Sequence, residues 1–201
     1  MPEEGYTKYS FTHQKAMPDF PEALVKSINS YRAKLKEMGL IGILPEGIGF
    51  GNLSVRYGNG FVITASSTGH LDYIHKRHLA LVRGYSFEAN HVNYKGLLPA
   101  SSESLSHAAL YEGSISSNAV IHAHSSSIWK YSMDICPATP AQAEFGTPEL
   151  ALSLRAIACG KDKGIIITQG HENGVFTFGM NLAEAFGIMA DYYAKANTKT
   201  L

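Results

Sequence analysis

The chain has 201 residues, 45% of them hydrophobic, enough to bury one sizeable core in a single domain. Lys plus Arg and Asp plus Glu both number 17, so no basic field exists to draw nucleic acid or an anionic membrane, and a neutral enzyme of small molecules fits better. Two distant cysteines, Cys136 and Cys159, form no Cys-x-x-Cys pair; this argues against a disulfide framework or a thiolate zinc site and points to a reducing cytoplasm.

Residues 1–20 are polar and punctuated by Pro2 and Pro18. With no apolar run for a signal peptide, they read as an N-terminal arm, mobile or docked on a neighbour, ahead of a domain over residues 21–201. No stretch approaches the length of a membrane span. Apolar residues at three- to four-residue intervals from Pro21 to Met38, closed by Gly39, predict an amphipathic helix. NLSVRY and FVIT, separated by Gly58-Asn59-Gly60, predict a hairpin. LDYIHKRHLALVRG reads as a short helix and then a strand near Leu79 to Val82.

PASSESLSHAALYEG predicts a helix from about Ser102 to Gly113, and NAVIHAH, GIIIT and GVFTF predict strands. Thr147-Pro148-Glu149 opens a helix with a hydroxyl cap and a proline at the first turn, and Gly160 closes it. The last helix begins at Asn181, which with Glu184 makes a variant capping box, and runs toward Ala196. Strands in adjacent pairs with helices between them predict an α/β fold with a mixed, mainly antiparallel central sheet flanked by helices.

Residues two apart on a strand face the same way, so Val120-Ile121-His122-Ala123-His124 aims both imidazoles at one side. The pattern alone is not diagnostic: among nine histidines in a chain of this length, chance supplies a His-x-His roughly four times in ten. Two core histidines satisfied by carbonyls would look the same. His171, in the QGHENG turn after GIIIT, makes a third imidazole, and three leave a fourth position open, as in a catalytic zinc site. Glu103 stands at the start of a helix, where a carboxylate or a phosphate is favoured, although capping is its simpler role. His107 lies one turn on and either orients that carboxylate or sits on the helix surface. GFGNLS and SSTG are loops of small residues and hydroxyls that could cradle a phosphate, but neither matches a P-loop.

The order of the pieces is specific. GNLSVRY, ITASSTG, SSES-x-x-H, NAVIHAH, EFGTPEL and QGHENGV, spread over about residues 47 to 190, together resemble the class II aldolase family. That family includes fuculose-1-phosphate aldolase, ribulose-5-phosphate 4-epimerase and the adducin head domain.

The resemblance implies a three-layer αβα fold, a homotetramer with active sites between subunits, and one Zn2+ per subunit, another divalent metal being possible. It implies metal ligation by His122, His124 and His171, with Glu103 as the catalytic acid/base and a fourth ligand when substrate is absent. Substrate phosphate would bind at Gly51, Asn52, Thr68, Gly69, Ser101 and Ser102. The expected reaction is the cleavage or formation of a ketose 1-phosphate, giving dihydroxyacetone phosphate and a small aldehyde, through an enediolate stabilised by the metal.

Two departures stand out. The interval Ser125 to Glu144 is shorter than in fuculose phosphate aldolases, where it holds the tyrosine that protonates the leaving aldehyde oxygen, and Tyr131 is the only tyrosine within it. ITASSTG is longer than the usual ITPTG. An epimerase, dehydratase or decarboxylase of the same family is the alternative reading. A non-catalytic module like the adducin head would predict decayed ligands, and this chain keeps them all.

Overall fold

The computed structural model describes residues 7–45 and 47–198. In chain order the elements are β1 (Ser10–Lys15), α1 (Glu22–Glu37), β2 (Gly42–Ile43), β3 (Gly49–Phe50), β4 (Asn52–Tyr57), β5 (Gly60–Thr64), β6 (Leu79–Ser86), β7 (His91–Gly96), α2 (Ser104–Gly113), β8 (Ala119–His124), α3 (Ser126–Ser132), β9 (Ala138–Thr139), α4 (Pro148–Ala158), β10 (Gly164–Thr168), β11 (Gly174–Gly179) and α5 (Leu182–Thr198). No helix among the described residues is long and apolar enough to cross a membrane.

Nine strands form one sheet in the order β1-β7-β6-β5-β4-β8-β11-β10-β9. Strand alternation splits its side chains between two layers. On β8, Val120 joins the cluster beneath α2 and α4, with Leu105, Ala109, Leu150 and Leu154. Ala119, Ile121 and Ala123 join the opposite cluster beneath α1, α3 and α5, with Val25, Ile28, Ile128 and Met189. The layers are therefore αβα, and His122 and His124, two and four residues beyond Val120, face the α2/α4 side.

The sheet expected from the sequence as mixed and mainly antiparallel is corrected to a nine-stranded mixed one. Its interior pairs run antiparallel, but both outermost pairs, β1 with β7 and β10 with β9, run parallel. Within the arm expected over residues 1–20, Ser10–Lys15 forms an edge strand in register with His91–Gly96. Residues 1–6 of that arm lie outside the described residues. The polar composition that suggested an arm reflects an edge strand with exposed side chains on both faces.

Local signals place most other elements. The hairpin β4–β5 turns at Gly58, which takes a φ of +58°. Thr147 caps α4, its hydroxyl accepting from Leu150 N at 3.3 Å. Asn181 Oδ1 accepts from Glu184 N, while the Glu184 carboxylate reaches back to Met180 N at 2.9 Å, one residue short of a standard capping box. Helix α2 starts at Ser104, two residues later than expected.

Candidate metal centre

Strand β8 lies at the middle of the sheet, between β4 and β11. Register sets His122 opposite Asn52 on one side and Phe176 on the other. Phe176 stacks on the His122 ring, with centroids 4.2 Å apart and planes at 22°. His122 Nδ1 is 3.3 Å from the carbonyl of Val175, which can only accept, so Nδ1 carries the proton and Nε2 keeps its lone pair. That Nε2 stands 3.1 Å from His124 Nε2. Burial, helped by the neighbouring imidazoles, holds the His122 pKa well below the usual histidine value. The ring is thus neutral at pH 7, the form that ligates metals.

The third imidazole comes from the turn between β10 and β11. Thr168 Oγ1 binds the carbonyls of His171 and Gly174 at 2.7 and 2.8 Å, and Asn173 takes a left-handed φ of +64°. A Cβ at Gly174 would stand 2.3 Å from Thr168 Oγ1, so only glycine allows the turn to close this tightly. The turn brings one ligand atom from each of His122, His124 and His171 within 4.8 Å of one another. A tetrahedral zinc with ~2.05 Å bonds sets its nitrogens ~3.3 Å apart, and the His122–His124 pair already stands near that spacing.

Glu103 is only 3% exposed. Ser106 Oγ donates to its Oε2 at 2.5 Å. Its Oε1 has no hydrogen-bond partner among the described residues and lies 3.7 Å from His171 Nδ1. A buried carboxylate oxygen without a donor, beside three converging imidazoles, is suited to a cation or to a transferable proton. The donor set therefore fits a divalent metal.

His122, His124, His171 and Glu103 line one cleft with Gly51, Asn52 and Ser102, walled by Phe50 and Phe145. Gly51, Asn52 and Ser102 also line an adjoining groove with Gly69, Ser101, Ser66 and Ser67. The structure therefore brings together five of the six residues expected for phosphate. Thr68 does not line the groove, because its hydroxyl donates to Ala65 O at 2.7 Å and so closes the loop.

The structure also fixes where His107, Tyr131 and Tyr9 lie. The His107 ring turns to Ser54 and not to the Glu103 carboxylate: its Nδ1 pairs with Ser54 Oγ at 2.6 Å, and Ser54 meets Tyr111 OH at 2.7 Å. Complete burial pushes the His107 pKa down to about 3. Tyr131 packs against the core under α5, away from the cleft. Tyr9, assigned to the arm, is buried and donates to Ser101 O at 2.9 Å, bracing the turn that carries Ser102 and Glu103. Sequence reading also missed Phe145, whose ring lies 5.2 Å from that of His171; the FGTP motif that contains it was the available signal.

The fold and site define an α/β protein with a candidate metal centre, built on a central strand and facing a polar groove. The chain matches the family described as class II aldolase and adducin N-terminal domain over residues 46–197, and it belongs to that family. No curated protein matches it.

Among solved structures it is similar to L-fuculose-1-phosphate aldolase from Thermus thermophilus, with 23% identity and a TM-score of 0.68 over 90% of this chain and 94% of that one. It is similar to a sugar-phosphate aldolase from Thermotoga maritima, with 18% identity and a TM-score of 0.64 over 88% and 93%. An N-terminal class II aldolase domain from Thermoplasma acidophilum aligns at 15% identity and a TM-score of 0.60, over 94% and 99%. At these identities the likeness establishes the fold.

Proposed function

We propose that the protein is a zinc-dependent aldolase that cleaves or forms a ketose 1-phosphate, with dihydroxyacetone phosphate and a small aldehyde as the fragments. The observation that carries this reading is the Glu103 carboxylate, buried and with one oxygen undonated, beside three imidazoles that converge on one point. The sugar-phosphate aldolases among the similar structures support the substrate class.

His122, His124 and His171 would hold the ion, with Glu103 completing the set when substrate is absent. A bound zinc supplies Lewis acidity toward a substrate carbonyl and its neighbouring hydroxyl. Glu103 Oε1 takes the proton from substrate and returns it, while Ser106 holds the other oxygen in place. Gly51, Asn52, Gly69, Ser101 and Ser102 bind the phosphate remote from the reacting bond, and Thr68 shapes the loop. Phe50 and Phe145 narrow the access of water to the cleft.

Coupled assays over a panel of ketose phosphates test this reading: activity that disappears with chelator and returns with zinc is expected. Cleavage that survives full removal of the metal sinks it. One second reading, an epimerase, dehydratase or decarboxylase of the same family, is favoured by the short interval from Ser125 to Glu144, whose one tyrosine, Tyr131, does not line the cleft. NMR of the products separates the two, since an epimerase keeps the carbon skeleton whole. A homotetramer with sites between subunits is part of the proposal, and light scattering measures it.

A further inference from the structure

Helix α1 carries a cation that the metal cleft does not use. Arg32 is fully buried, and its Nη2 donates to the carbonyls of Thr68 at 2.9 Å and Leu71 at 2.8 Å. Its Nε is buried without a hydrogen-bond partner among the described residues. A counter-charge acting on it is Asp72, which is exposed and whose Oδ1 is bound to Lys36 at 2.6 Å. Burial lowers the Arg32 pKa to about 10, which leaves the guanidinium charged at neutral pH.

Fastening the loop does not require this charge. Asn29, one turn earlier on α1, already pins the far end with neutral bonds, donating to Ile74 O and accepting from Ile74 N, each at 2.8 Å. Burying a guanidinium costs several kcal/mol in general, and an exposed carboxylate already bound to Lys36 offsets little of it, so Arg32 calls for a further partner charge.

The peptide geometry shows where that partner would sit. A trans peptide points its C=O and N–H in opposite directions, and no cis bond occurs among the described residues. With Thr68 O turned to Arg32, the Gly69 N–H is aimed the other way, and Gly69 itself lines the groove. A Cβ at Gly69 would stand 2.0 Å from Gly42 O, so no side chain can take that position. The residues lining the groove include no lysine, arginine or histidine. An anion there would meet hydroxyls and amides in front and one full positive charge behind, in a medium where charge acts strongly.

We propose that Arg32 is the positioning cation of an oxyanion site at the Ser66–Gly69 loop, turning the loop's amides toward the groove and supplying the positive charge that the lining lacks. The proposal rests on the reading that this groove takes the substrate phosphate. It names a residue on a helix behind the loop that does not touch the ligand.

Arg32→Lys and Arg32→Gln both keep a donor for the two carbonyls and differ in charge, so comparing them isolates the charge from the fastening. Binding of inorganic phosphate by calorimetry, with metal content and circular dichroism as controls, is the measurement. The expected result is a weakening of tenfold or more in Arg32→Gln and of threefold or less in Arg32→Lys, with metal content unchanged. In turnover, KM for the phosphorylated substrate should rise in Arg32→Gln while kcat stays within about threefold. Equal phosphate affinity in wild type and Arg32→Gln overturns the proposal alone. Absence of phosphate binding by the wild type overturns the groove reading and this proposal with it. Should Arg32→Gln fail to fold, Arg32→Lys decides: a loss beyond tenfold with intact metal content overturns the role of the charge.

Discussion

The two ends of the cleft are made of different material. At the metal end the groups are side chains: His122 and His124 from one strand face, His171 from a turn and Glu103 from a helix start. At the groove end the groups are mostly backbone and hydroxyl, from Gly49, Gly51, Ser66, Ser67 and Gly69. A side-chain site fails by losing one atom, whereas a backbone site fails only when its scaffold shifts. Substitutions at the metal end should therefore abolish function, and those in the groove should grade it.

The largest expected effect belongs to His122→Ala, His124→Ala and His171→Ala. Each should lose most of its metal and all measurable turnover, read by metal analysis and assay. If all three retain full metal, the centre lies elsewhere. Glu103→Gln comes next, keeping most of its metal and its fold but slowing turnover on the order of a hundredfold to ten-thousandfold. Wild-type rates with metal bound would reduce Glu103 to a capping residue.

Ser102→Ala sharpens the contrast from the other end, since Ser102 lines both halves. A hydrogen bond to a charged group is worth about 1.5–3 kcal/mol, so KM for the phosphorylated substrate should rise roughly tenfold to a hundredfold at constant metal content. An unchanged KM would remove its hydroxyl from the phosphate set.

The smallest effect on activity is expected at His107, which belongs to neither end and bonds Ser54. Its effect is on stability. The folded-state pKa is depressed to about 3, so its contribution is present above the ordinary histidine value and is lost as pH falls toward 3. The difference in urea stability between the metal-free wild type and metal-free His107→Gln should shrink by about 1.4 kcal/mol per unit below pH 6.5. A difference that does not vary with pH contradicts a neutral buried imidazole.

The same contrast explains what was legible in the sequence. Strand alternation placed His122 and His124 on one face without any knowledge of the fold, because a period of two is a local property. Thr147-Pro148 and Gly58-Asn59 likewise carry their own geometry. Edge strand β1 was not legible, because its pairing depends on a strand 81 residues away and its exposed faces impose no hydrophobic pattern. Arg32 read as one more polar residue of an amphipathic helix, since nothing in a helical period reveals that the Thr68 and Leu71 carbonyls converge on it. The metal end announces itself through residue types that carry chemistry. The groove end relies on glycines and serines, which serve turns everywhere.

The parallel edge strand bears on the order of folding. Hairpin β4–β5 closes over a two-residue turn, whereas β1 has to wait for β7, and its loop-closure entropy grows with the intervening length. Tyr9, immediately ahead of β1, is what braces Ser101 in front of Glu103. The expected sequence of events is a sheet that forms from its middle and a catalytic turn that is secured last. Pulse-labelled hydrogen exchange during refolding should then show the amides of Asn52–Thr64 protected before those of Ser10–Lys15, with activity recovered only in the later phase.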